Sequence, residues 1–314
     1  MLSKLKIFAP LIALSLILAG CSSEENVVTD NTNTTQNQNN QPVEETAQAA
    51  TESVDAEKDS SKGHKDGHHH LTGDGLKSSV SGYEIKLLTA KIPSKEAVNL
   101  EFTLTKDGEV LREIPIAHEH PVHLVIVAKD LSWYRHVHPY QDSKDPNAKW
   151  VVPTNMPYDG DYRVIAQFNQ TMGDHEMTYA IGADLKVGTG KLSSDKPMIP
   201  PFEKTQTSQP SNYKVTLDAE GPLNSQEHTK ATFSVKDENG KPVSLGQYLG
   251  AGAHIIGFRA SDGAYIHLHG ELDSTGNKIL VDLEFGPGSG QYRLFVEFQA
   301  SGKVDLVGFT VDVA

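Results

Sequence analysis

Gly160-Asp161-Tyr162-Arg163-Val164-Ile165-Ala166-Gln167-Phe168 returns 130 positions later as Gly290-Gln291-Tyr292-Arg293-Leu294-Phe295-Val296-Glu297-Phe298. Both segments carry the two-residue period of a strand with one face in a core. Tyr162, Val164, Ala166 and Phe168 are the expected core positions of the first copy, and Tyr292, Leu294, Val296 and Phe298 those of the second. A Gly-x-Tyr opening fits a tyrosine corner, in which a tyrosine near the start of strand F of an immunoglobulin-like sandwich hydrogen-bonds back to the preceding loop.

Further anchors upstream of each segment keep their order and nearly their offset. Tyr83–Leu87 matches Tyr213–Leu217, and Phe102–Asp107 matches Phe233–Asp237 with a one-residue slip. His123, His136 and His138 match His254, His267 and His269. Turn signals at Asp107-Gly108, Asp159-Gly160, Asn239-Gly240 and Asp262-Gly263 separate short apolar-alternating runs, and no stretch holds a 3.6-residue period over three turns. Each copy has room for roughly seven short strands, the size of an immunoglobulin-like sandwich. A Cys-Trp-Cys pattern is absent, which excludes a true antibody-type domain.

The chain before the first copy reads as an address and a spacer. Lys4 and Lys6 precede an apolar run from Ile7 to Leu18, too short for a comfortable membrane span and suited to a secretory signal. Leu18-Ala19-Gly20-Cys21 follows, and it resembles the lipobox of bacterial lipoproteins. That resemblance implies a diacylglyceryl anchor on Cys21. As the chain's single cysteine, Cys21 has no internal disulfide partner, so lipidation also accounts for an otherwise free exported thiol. From there to about residue 62 the chain is rich in Asn, Gln, Thr, Ser and Glu and cannot bury enough surface to offset its ordering entropy. His64, His68, His69 and His70 close this spacer and are, by composition alone, able to catch a metal ion.

The expected organisation is all-β: residues 1–20 a lipoprotein signal peptide, 21–78 a disordered tether with a His-rich end, 79–189 and 212–314 two tandem immunoglobulin-like β-sandwich domains, and 190–211 a proline-bearing linker. A formal net charge of −13 argues against nucleic acid as a partner and against electrostatic docking on anionic lipid. It is compatible with attracting cations. The expected partners are the membrane, through the anchor on Cys21 at its extracytoplasmic face, and a metal-transfer protein.

The histidines carry the chemistry. Each copy spaces them His, twelve residues, His, one residue, His. A hairpin centred between Asp130 and Leu131 puts His123 opposite His138, and one centred on Ser261-Asp262 puts His254 opposite His269. Strand alternation then places all three rings of a copy on one face, joined by Tyr134 or Tyr265. Three neutral imidazoles suit copper, zinc or nickel, and raw affinity favours copper, with zinc as the alternative. The first copy adds His118 and His120 upstream, and Met172, His175 and Met177 after the Phe168 strand, a thioether-imidazole combination favouring Cu(I). It is therefore the better candidate if only one domain binds metal. The same histidines also fit a purely structural role as hydrogen-bonding groups at one end of each sandwich.

Residues 123–139, His-Leu-Val-Ile-Val-Ala-Lys-Asp-Leu-Ser-Trp-Tyr-Arg-His-Val-His-Pro, together with Gly160–Arg163, resemble bacterial exported proteins with YtkA-like domains. The resemblance covers about Val80 to Val187 closely and Tyr213 to Val313 more loosely. It implies an immunoglobulin-like fold and a heavy-metal or copper association at the periplasm or cell surface. The second copy departs from the motif, with Gly270 in place of the proline and Ser-Asp-Gly in place of Lys-Asp-Leu.

No Gly-x-Ser-x-Gly elbow, His-Glu-x-x-His helix or glycine-rich phosphate loop is present, so a non-enzymatic role is expected. The leading expectation is a surface lipoprotein that binds a transition metal through its His cluster for handling or resistance. The alternative is a structural or adhesive surface module that binds a protein or glycan.

Overall fold

Two tyrosine hydroxyls fix the corners of the molecule. Tyr162 donates to the Tyr158 carbonyl at 2.8 Å and Tyr292 to the Gly288 carbonyl at 2.7 Å, a tyrosine corner in each copy. The computed structural model describes residues 71–141, 145, 147–173, 175–191 and 203–314. The signal segment, Cys21, the histidines at 64 and 68–70, and linker positions 192–202 lie outside the described residues.

Among the described residues, fourteen strands of four or more residues divide seven and seven. The first domain has β1 (Tyr83–Leu87), β2 (Ala97–Lys106), β3 (His123–Ala128), β4 (Tyr134–Val137), β5 (Trp150–Asn155), β6 (Gly160–Met172) and β7 (His175–Val187). The second has β8 (Lys214–Ala219), β9 (Thr229–Lys236), β10 (Ala253–Arg259), β11 (Tyr265–Leu272), β12 (Lys278–Leu283), β13 (Gly290–Ala300) and β14 (Lys303–Val313). In the first domain one sheet runs β1-β2-β5 and the other β7-β6-β3-β4, all antiparallel. The second repeats this as β8-β9-β12 and β14-β13-β10-β11. There β11 also pairs with β12 and stitches the two sheets together at that corner. The all-β, two-sandwich reading of the sequence holds.

Each sandwich has its own core, and the alternating residues named from sequence lie in it. Tyr162, Val164, Ala166 and Phe168 pack with Leu100, Phe102, Leu104 and Trp150, while Tyr292, Leu294, Val296 and Phe298 pack with Phe233, Ile279 and Phe309. Full burial of each such side chain contributes about 1.5–3 kcal/mol relative to exposure.

A third apolar cluster decides how the domains meet. All six residues of β3 are buried, because both faces of the strand are covered. Leu124 and Ile126 enter the first core, whereas Val125 and Val127 point the other way. They join Leu131, Tyr134, Ile165 and Ala180 of the first domain and Ile256, Phe258, Tyr265 and Phe295 of the second. Tyr134 stacks on Phe295 with centroids 4.5 Å apart and planes 12° apart. The outer faces of the β6-β3-β4 and β13-β10-β11 sheets are thus pressed together.

Two boundaries shift. Leu71–Thr72, expected within the tether, forms a short parallel strand on Thr178–Tyr179 of β7, and Leu71 packs against the interdomain cluster. The Asp74 carbonyl accepts from the Tyr265 amide at 2.9 Å, and the Gly75 carbonyl from Arg163 Nε at 2.9 Å. Residues 71–78 therefore belong to the folded body, because their backbone groups find partners on both domains. Likewise Thr205–Thr207, expected in the linker, adds a strand to the edge at β8.

Candidate metal centre

The hairpin registers place the histidines where the sequence puts them. β3 pairs Leu124 with Val137 and Val125 with His136, so His138, one residue past β4, falls opposite His123. In the second domain His254 pairs directly with His269. The donor atoms of His123, His136 and His138 lie within 4.8 Å of one another, and so do those of His254, His267 and His269.

Hydrogen bonds behind the first triad set which nitrogen faces inward. His123 Nε2 lies 2.9 Å from the Ala117 carbonyl, which can only accept, so Nε2 carries the proton and Nδ1 is bare. His136 Nδ1 lies 3.0 Å from a carboxylate oxygen of Glu297, so in the neutral ring Nε2 is bare. These two bare nitrogens sit 3.1 Å apart, and His138 Nε2 approaches the same His123 Nδ1 at 3.2 Å. Facing lone pairs on His123 and His136 repel unless a cation lies between them. An ion placed there is also within reach of His138 Nε2. Tetrahedral zinc-like coordination, with bonds of about 2.0–2.1 Å, separates ligand nitrogens by about 3.3–3.4 Å, close to the 3.1 and 3.2 Å of the two contacts at His123 Nδ1.

The second triad repeats the design with a neutral support. His267 Nδ1 lies 3.0 Å from Gln167 Oε1, which also accepts from the Tyr265 hydroxyl at 2.8 Å. That leaves His267 Nε2 bare, 3.0 Å from His254 Nδ1. His254 Nε2 and His269 Nε2 are buried without a well-formed hydrogen bond, although the Leu249 backbone acts weakly on the His254 ring.

Burial comes first in holding these rings neutral, and neighbouring histidines add to it. His123 is lowered to about 4, His254 to about 3, and His138 and His269 to about 2, while His267 falls well below the ordinary imidazole range. At neutral pH these five offer lone pairs, the form a metal requires.

The sequence anticipates one triad in each sandwich, and the structure has one in each; what it adds is that the two triads lie side by side between the domains. Centroids of His136 and His254 lie 5.6 Å apart, those of His136 and His267 5.7 Å, and those of His123 and His254 6.3 Å. The supports cross over as well. Glu297 of β13 holds His136 of the first domain, and Gln167 of β6 holds His267 of the second. The reason is register: Gln167 pairs with His123 and Glu297 with His254, on the face opposite each core. Glu297 and Gln167 occupy matching repeat positions, yet neither stood out in sequence. The available signal was a buried apolar strand interrupted by one polar residue, next to a strand apolar on both faces.

The added first-copy residues divide. His120 stacks on His138 with centroids 3.9 Å apart and planes 11° apart. His118 lies 3.9 Å from His269 of the other domain. The methionine loop is not brought to the cluster. Met172 and His175 pair across the tip of the β6–β7 hairpin and are exposed, and Met177 packs against the first core. Met172 is five residues beyond Gln167, about 17 Å along an extended strand.

Residues 78–185 and 206–314 each match one family, the domain of unknown function DUF8832. The chain belongs to that family. It carries the DUF8832 domain twice, and the two copies are the two sandwiches whose histidines meet. No curated protein matches the chain. Among solved structures it is similar to FdeC, an Escherichia coli adhesin, at 15% identity over 75% of this chain and 65% of that one, with a TM-score of 0.23. It is also similar to Salmonella alpha-2-macroglobulin reacted with methylamine, at 14% identity over 76% of this chain and 15% of that one, with a TM-score of 0.23. A DUF4785 family protein from Legionella pneumophila aligns at 7% identity over 71% of this chain and 54% of that one, with a TM-score of 0.25. The chain thus spans less than two thirds of each of these proteins, and at such TM-scores they carry no argument about its role.

Proposed function

We propose that this protein binds a transition metal, copper with zinc as the alternative, in the histidine cluster between its two sandwiches, and that it does so as a lipid-anchored extracytoplasmic protein engaged in metal handling rather than as a catalyst. One observation carries the reading: His123 Nδ1 and His136 Nε2 face each other at 3.1 Å with their other ring nitrogens engaged by Ala117 and Glu297. An all-imidazole donor set backed by a carboxylate on one side and an amide on the other is how proteins orient metal-binding histidines. Such a set suits copper and zinc, and the stability order among divalent ions favours copper. The lipobox-like Leu18–Cys21 and the likeness of residues 123–139 to YtkA-like domains support an exported, anchored, metal-associated protein.

Copper titration under aerobic and anaerobic conditions, followed by elemental analysis, tests the binding. Wild-type protein is expected to retain metal through gel filtration, and His136→Ala with His138→Ala is expected to weaken it sharply. Unchanged stoichiometry and affinity in that variant removes the site. No metal above background in wild type favours the structural or adhesive alternative. Incorporation of labelled palmitate in a bacterial host, abolished by Cys21→Ala, tests the anchor.

A further inference from the structure

The turn before β3 has an unusual backbone for its sequence. Ala117 and His120 exchange both backbone hydrogen bonds at 3.1 Å, leaving His118 and Glu119 as the two central residues. Their φ values are +48° and +70°, the left-handed pair of a type I′ turn. Asn and Gly normally fill these positions, because a Cβ there crowds the following carbonyl at about 1–2 kcal/mol per residue. The second copy builds the same turn from Tyr248 to Ala251, with Leu249 at +51° and Gly250 at +75°. Only the first copy places histidines on it. Non-glycine residues held in this region cluster at functional sites, where surrounding contacts over-determine them.

What this turn does follows from where its two rings go. They diverge: His120 stacks on His138 of its own domain, and His118 crosses the boundary to lie 3.9 Å from His269 and 5.9 Å from His254. The opposite turn lies alongside: a Cβ built on Gly250 would be in ordinary van der Waals contact with His118 Nδ1, 3.7 Å away. In the second triad, His269 Nε2 is a buried polar atom with no well-formed protein partner, which marks missing chemistry there rather than a satisfied core.

We infer that the two triads are the halves of one dinuclear metal centre, and that the His118–His120 turn supplies a fourth imidazole to each half, His120 to the first-domain ion and His118, in trans, to the second-domain ion. The inference rests on the metal-binding reading above. Three triad imidazoles complete four-coordination at each ion with one turn imidazole, once that ring turns from its packed position to aim a nitrogen at the ion. The rings of the two triads approach within 5.6 Å, so no protein wall separates the two positions. An ion in the second half then ties one domain's loop to the other domain's sheet. His118 is exposed, so it stands at the mouth, where an ion would enter or leave.

The test uses the full chain with His64, His68, His69 and His70 replaced by alanine, so that the tract before the fold cannot contribute ions. Zn(II) and, separately, copper are titrated, and bound metal is measured after gel filtration, with circular dichroism confirming that each variant is folded. The parent protein is expected to hold two ions per chain. His267→Ala with His269→Ala is expected to leave one. His118→Ala is expected to weaken the second ion at least tenfold while the first keeps its affinity, and His120→Ala to do the reverse. One ion in the parent protein overturns the dinuclear centre and leaves the metal-binding reading standing; none overturns both. Two ions whose affinities ignore His118→Ala overturn the ligand in trans.

Discussion

Replacing Glu297 by glutamine isolates the electrostatic part of the centre. The amide retains an oxygen able to accept from His136 Nδ1, as Gln167 does for His267, so the geometry is conserved and the charge is removed. Glu297 is 8% exposed and its oxygen lies 3.0 Å from Nδ1. Adding ~2 Å across the ring and ~2 Å to a ligated ion puts that ion about 6–7 Å from the carboxylate. With an effective dielectric constant near 20, the attraction is about 2.5 kcal/mol per unit charge on the ion. Part of it is lost to desolvation of the carboxylate, and replacing such a supporting group typically lowers metal affinity 10–100-fold. Glu297→Gln is therefore expected to weaken Zn(II) or Cu(II) at the first triad by at least tenfold, and Cu(I), with half the charge, by less. Gln167→Glu is expected to strengthen the second triad. Competition titration against a chromophoric chelator at fixed pH, with reduced and oxidised copper in parallel, measures each constant. Affinity within twofold of wild type for both copper states would refute the charge argument and leave Glu297 a purely steric support.

Three further outcomes are expected. The metal-free protein should lose stability as pH falls from about 6.5 toward 4. Over that range the unfolded histidines take up protons that the folded His123 and His254, lowered to about 4 and 3, refuse. Each ring contributes a slope of about 1.4 kcal/mol per pH unit; urea titrations at pH 7.5, 6 and 5 read it, and a flat profile would contradict burial of neutral rings. Phe258→Ala, at the centre of the interdomain cluster and fully buried, should cost about 3–5 kcal/mol. In calorimetry this appears as a clear fall in Tm, and an unchanged Tm would mean the two sheets are not held together there. Met172→Leu with His175→Ala should leave copper affinity unchanged, because these exposed side chains lie at the far tip of a hairpin; a drop under anaerobic titration would return the methionine loop to the site.

The sandwich class, the repeat, the core face of each F-type strand and the opposition of His123 to His138 were all legible in the sequence. These follow from local rules: a strand's side chains alternate, and a short hairpin fixes its own register. Glycines and turn pairs mark where strands end, and Tyr162 and Tyr292 mark their corners. What lay beyond local rules is the other face. Val125, Val127, Ile256, Phe258 and Phe295 read only as strand residues until the opposing sheet shows what they cover. The apolar run of β3 betrays two buried faces but not what buries the second. Docking of one sheet on the other brings Glu297 to His136, Gln167 to His267 and His118 to His269, across 161, 100 and 151 residues of chain. No sequence period connects positions so distant; tertiary packing alone brings two separate histidine triads side by side.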